Sequence, residues 1–175
     1  MTIETLSIGE PFFTLRLIRN EDSFQINNKT IVLNLADHPL CIQEQTLGTL
    51  ESLIVLNTEI SQIDHAVIVE DFADHLDEEA LFEAVRVVWP SAYEVRGEDR
   101  LKGIGHYMSP KVWIDGFGFT LYHAATVPLK VGLHREHAFC PVPGFREVHM
   151  QIVGIGKMQQ CREQNIDTLY LEEPM

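Results

Sequence analysis

The chain has 175 residues, 45% of them apolar, and 26 acidic side chains against 13 basic ones, a formal net charge of −13. That length and apolar content suffice for one ordinary domain burying roughly 70% of its unfolded surface. The negative balance argues against nucleic acid or an anionic membrane surface as partner, since both require a positive footprint. Three widely spaced cysteines, Cys41, Cys140 and Cys161, read as reduced thiols rather than as a disulfide framework or a Cys-x-x-Cys metal site. The opening MTIETLSIGE has neither the basic nor the apolar part of an export signal, and no apolar run approaches the ~18 residues of a membrane span. A cytoplasmic protein is expected.

In chain order, FFTLRLI (12–18), TIVLNLA (30–36), SLIVLNTEI (52–60) and HAVIVEDF (65–72) are rich in β-branched and aromatic residues and predict strands. NNKT (27–30) supplies turn residues between the first two, which predicts a hairpin. DEEALFEAVRVVWP, from Asp77, predicts a helix with Leu81, Phe82, Val85, Val88 and Trp89 on one face, Asp77 as N-cap and Pro90 as stop. Further strands follow in KVWIDGFGFTLYHAATV (111–127), where Gly116 and Gly118 suggest a bulge or a close backbone approach, then in PLKVGLH (128–134), REVHMQIVG (146–154), GKMQQCRE (156–163) and DTLYLEE (167–173). CPVPGF (140–145) must be a loop, because its prolines cannot donate to a ladder. Many short strands and one helix give a mainly β domain over residues 1–175, a sandwich or barrel with one covering helix.

The segment GLHREHAFCPVPGFREVH (132–149) gathers three histidines, a cysteine and several charged groups. If REVHMQIVG is a strand, Glu147, His149 and Gln151 share one face and Val148, Met150 and Ile152 the other. The polar face is then either wet or turned into a barrel interior, where its groups need a metal or substrate to satisfy them. His134 and His137 add neutral imidazoles three apart, and with Glu147 they make a mixed nitrogen and oxygen set suited to Fe(II), Mn(II), Ni(II) or Zn(II). His38, His65 and His75 each sit near an acid and read as surface or capping residues. His106, in the glycine-flanked GIGHYMS, either faces a pocket or occupies a turn. Cys140 reads as a buried or incidental thiol.

The closing half of this segment resembles the first motif of the cupin superfamily: Glu147, the six residues VHMQIV, then Gly154. The upstream half departs from that motif, with His134 and His137 three apart and nine residues, AFCPVPGFR, between His137 and Glu147. GFREVHMQIVGIGKMQ also resembles the core of the YhcH/YjgK/YiaL family of cupin-like proteins linked to sugar handling. The likeness covers about residues 132–160. It implies a cupin-like barrel holding a divalent metal through His134, His137, Glu147 and His149, with Glu147, Gln151 and Tyr122 (or Tyr107) handling protons. A second cupin motif with its own histidine is absent, since no histidine follows His149. His149 is the expected substitute, His123 in FTLYHAA the alternative. The resemblance also implies a homodimer or closing strands beyond Met175. The implied activity is isomerisation, epimerisation or dehydration of a small polar, sugar-derived substrate; an Fe(II) dioxygenase and a non-catalytic cupin-fold sensor or scaffold are the alternatives.

Overall fold

A computed structural model of the protein describes residues 2–72, 78–124, 142–163 and 165–174. The chain divides into two compact units, Met1–Pro128 and Leu129–Met175. The first is mainly β, and the described part of the second holds one β-hairpin.

A seven-stranded antiparallel sheet dominates the first unit. Its strands are β1 (Thr2–Leu6), β2 (Thr14–Ile26), β3 (Thr30–Asn34), β4 (Leu40–Ile42), β5 (Gln45–Leu47), β6 (Ser52–Val55) and β7 (Thr58–Glu70). The order is β1-β2-β7-β3-β6, with β4 also on β7 and β5 on β4. The expected hairpin across NNKT does not form. β2 and β3 lie on opposite edges of β7, so that Val67 has Leu17 on one side and Leu33 on the other. Both strands prefer β7 because its VIV run buries apolar side chains on both faces, which a two-stranded hairpin cannot do.

The register also shows that this sheet is rolled. Ile26 on β2 stands opposite Thr58, and Ile31 on β3 opposite Val69. A straight β7 would separate those two sites by roughly 36 Å, whereas the chain from Ile26 to Ile31 spans at most about 17 Å. β7 must therefore curl back on itself. The curl has a local cause: Asn20 on β2 and Gln62 on β7 are in the left-handed region, at φ 52° and 58°, and pairing lapses beside them. Inside the roll, Ile26, Val32, Leu40, Leu47, Val55 and Ile60, one from each of β2 to β7, join one core. No sheet closes among the described residues, so what is observed is a rolled open sheet.

Asn34 pins the end of β3. Its side chain is 1% exposed; Nδ2 donates to the carbonyls of His38 and Leu47, both at 2.9 Å, and Oδ1 accepts from Ala36 N at 3.0 Å. One buried amide thereby satisfies the loop that leads into β4 and the end of β5.

Two α-helices are present among the described residues where one was expected. α1 (Glu78–Val88) buries Val85 and the following Trp89 against Phe12, with the Phe12 and Trp89 rings edge-on at 5.2 Å. Val88, assigned to the same face from the sequence, is instead half exposed, and Asp77 lies outside the described residues. α2 (Ala92–Arg96) follows Pro90. Ser91 and Glu94 form a reciprocal capping box, and Gly97, at φ 68°, closes the helix. Two short antiparallel pairs follow among the described residues: β8 (Tyr107–Met108) pairs with β11 (Tyr122–His123), and β9 (Val112–Ile114) with β10 (Phe117–Phe119). Asp115 and Gly116, both at positive φ, make the two-residue turn between β9 and β10, so Gly116 serves a turn rather than a bulge. Gly118 does mark a close approach. A Cβ there would meet the Trp113 ring across the hairpin at 3.2 Å.

In the second unit, β12 (Lys157–Cys161) and β13 (Leu169–Pro174) form an antiparallel hairpin. Glu172 clamps it by accepting from Lys157 Nζ and Gln159 Nε2, each at 2.7 Å. Both hairpin strands fall where the sequence predicts them. The strand expected over 146–154 is absent, and no ladder pairs that stretch among the described residues. Bends at 152–154 and the left-handed Gly154, at φ 90°, end any extended run there.

Candidate functional site

The chemistry-bearing segment of the second unit begins with a turn. Val142–Pro143–Gly144–Phe145 folds back with Phe145 N donating to Val142 O at 3.4 Å and Gly144 at φ 72°, the proline-then-glycine order of a type II turn. Beyond it, Glu147 Oε1 and His149 Nε2 meet at 3.4 Å, each side chain a little under half exposed. The two residues converge as their spacing predicts, although no strand carries them. Gln151 does not join them: its amide donates to the Val153 carbonyl within its own turn. His134, His137 and Cys140 lie outside the described residues.

A divalent ion was expected at this pair. Two donors bound at about 2.1 Å to one tetrahedral ion stand about 3.4 Å apart, so the Glu147–His149 spacing suits adjacent positions on such an ion. An imidazole nitrogen with a carboxylate oxygen is also the donor mixture that Fe, Mn, Ni or Zn accepts. Among the described residues no group of three or more His, Cys, Asp or Glu is positioned to hold a metal, so any third ligand has to come from elsewhere.

Tyr122, the expected acid, belongs to the first unit, where a second set of polar groups surrounds it. Its hydroxyl accepts from Arg96 Nη2 at 3.1 Å, and the same guanidinium lies over its ring, 5.6 Å from the centroid. Behind that ring sits His106, 3% exposed, with centroids 5.8 Å apart and an interplanar angle of 34°. Neither ring nitrogen of His106 has a hydrogen-bond partner. Burial depresses its basicity below the ordinary histidine value, and the positive fields of Arg96, Arg100 and His123 push the same way. Tyr107 and His123 both pack on Phe82, at 5.7 and 6.2 Å. An open cleft of about 410 Å³ lies alongside, lined by residues including Phe82, Arg86, Ser91, Tyr93, Ile104 and Tyr107.

No family model, curated protein or solved structure matches this chain.

The remaining histidines divide. His38 is a surface residue as expected, its ring 3.1 Å from Asp64. His65 is not: its side chain is only 17% exposed, edge-on to Phe117 at 5.0 Å, with Nε2 3.8 Å from Asp115. Arg19 stands between these groups, binding Asp115 through Nε and Glu4 through Nη1. This network ties the β9–β10 turn to β1, β2 and β7. Sequence reasoning placed His65 with its neighbour Asp64, whereas strand alternation sends adjacent side chains to opposite faces. Cys41 and Cys161 are free thiols. No helix among the described residues is long and apolar enough to cross a membrane.

Proposed function

We propose that the protein is a metal-dependent, cupin-type enzyme acting on a small polar substrate, and that the reaction is isomerisation, epimerisation or dehydration of a sugar or sugar derivative. The reading rests on one observation above others: Glu147 and His149 meet at metal-ligand spacing just ahead of Gly154, whose positive φ makes that glycine a requirement of the turn. The mainly β, rolled antiparallel architecture of the first unit is in keeping with it. Glu147 and His149 would hold the ion, with His134 and His137 supplying the remaining donors. A bound divalent ion supplies Lewis-acid polarisation of a carbonyl or hydroxyl. The chain's own part is to fix two donors on one side of the ion, leave positions open for substrate, and present the Glu147 carboxylate as a proton acceptor. Cytoplasmic location and a homodimer belong to the same proposal.

The test is elemental analysis of the full chain purified without chelator or affinity metal, beside a His137→Ala/Glu147→Ala double variant and a His149→Ala variant. Near-stoichiometric metal in the parent and little in either variant supports the reading. Absence of metal from the parent after iron, manganese, nickel and zinc have each been offered overturns it and leaves a scaffold or sensor. Iron-dependent oxygen consumption would move the assignment to a dioxygenase.

A further inference from the structure

His106 is held in place from its backbone. Its N–H donates to Ile104 O and its carbonyl accepts from Ala92 N, both at 2.8 Å, so the ring is fixed beneath Tyr122. Each buried polar atom without a partner costs about 1–3 kcal/mol. A fold that keeps both imidazole nitrogens in that condition provides for something to meet them. Among the described residues the charged groups acting on the ring are Arg96, Arg100 and His123, all basic, in a chain whose net charge is −13. Glu98 Oε2 accepts from Arg100 Nε at 2.6 Å, and its Oε1 is buried without a partner. The Tyr122 ring that lies against the imidazole is itself 46% exposed, and its hydroxyl oxygen accepts from Arg96.

We propose that His106, Arg96 and Tyr122 form a receptor for a small oxyanion, a carboxylate or phosphate group, in the first unit. A guanidinium fork meets the phenol hydroxyl over an imidazole whose nitrogens are unpartnered, and guanidinium and imidazole N–H both donate to anionic oxygen. The oxyanion takes the place of the phenol oxygen as acceptor for Arg96, the Tyr122 ring swings aside, and His106 N–H reaches the same ligand. Arg96 supplies charge and bidentate geometry that a lysine would not match. The proposal does not depend on the metal pair of the second unit.

The full chain, labelled with ¹⁵N, is titrated with inorganic phosphate and separately with acetate at constant ionic strength, following the His106 ring nitrogens by NMR. The expected result is a saturable shift of those resonances with one or both anions, and a loss of affinity of about tenfold in Arg96→Met, as for removal of a charge-assisted hydrogen bond. The stronger of the two anions identifies the ligand's chemical class. Ring resonances that neither anion moves overturn the proposal, as does a shift that survives unweakened in Arg96→Met. Arg96 is a partly exposed helix-end residue, so its replacement leaves the core of the unit intact for the comparison.

Discussion

Replacing Asn34 with alanine removes three hydrogen bonds at once, those to the His38 and Leu47 carbonyls and from the Ala36 N–H. At about 1 kcal/mol for each neutral bond, the loss is about 3 kcal/mol. The bond to Leu47 is fully buried, so its carbonyl is left without water or partner, and the total rises to about 4 kcal/mol. With a urea slope of about 2 kcal/mol/M, the midpoint falls by about 2 M. Both tryptophans of the chain, Trp89 and Trp113, lie in the first unit, so their fluorescence follows the unit that contains Asn34. Asn34→Asp is expected to be at least as damaging, because it turns a donor that feeds two carbonyls into an acceptor facing them. Asn28→Ala, at an exposed turn position, serves as control and stays within about 0.5 kcal/mol. A loss below about 1 kcal/mol for Asn34→Ala, indistinguishable from that control, would refute the view that one buried amide organises this end of the sheet.

His65 and His106 both lie below the ordinary histidine value chiefly because burial penalises the imidazolium form. The unfolded chain therefore binds more protons as pH drops. Stability of the first unit should fall as pH is lowered through about 6.5 and level off below the folded values, and a His65→Gln/His106→Gln variant should show a flatter profile; a parent midpoint unchanged between about pH 7.5 and about pH 5.5 contradicts this. Arg19→Met releases Asp115, and faster amide exchange across Val112–Phe119 is expected while the protection of Leu15–Ile18 is kept; uniform loss of protection would show that the network holds the whole sheet. Gly154→Ala meets only an ordinary contact with Gln151 Nε2 at 3.7 Å but a left-handed backbone, and should cost about 1–2 kcal/mol of local order, read as faster exchange at Ile155 and Lys157. Unchanged exchange there would remove the case for a required glycine.

Strand identity was legible wherever burial is two-sided: the apolar runs at 30–34 and 65–70 can satisfy themselves only inside a sheet, and they do so. Partner choice was not legible. NNKT has the composition of a hairpin turn, yet the pairing is settled by a strand made later, and local turn chemistry carries no record of that. α2 was readable but missed: Ser91-x-x-Glu94 followed by Gly97 is a capping box with a C-terminal glycine, hidden behind the assumption that Pro90 ended helical structure. For the candidate sites, the two-residue spacing of Glu147 and His149 foretold their contact, because two apart in an extended segment lie on one side with or without a ladder. Gln151 was misplaced because alternation stops at a turn. The setting of His106 depends on Arg96 and Tyr122, ten and sixteen residues away, and no local pattern announces such convergence.

The position of β7 between β2 and β3 has a consequence for how the protein comes into being. During synthesis, Ser23–Ile26 and Thr30–Leu33 emerge together around Asn27–Lys29, and hairpins of that kind form within about 1–10 μs. β7 is made only after β4, β5 and β6. Any early β2–β3 pairing must then be surrendered so that the newcomer can take both partners. Where such a pairing forms, the native sheet is reached by an exchange of neighbours, and Asn27–Lys29 is then a place where sequence bears on the speed of maturation while leaving the finished molecule unchanged. A stronger turn there, such as Asn-Gly, would deepen the detour.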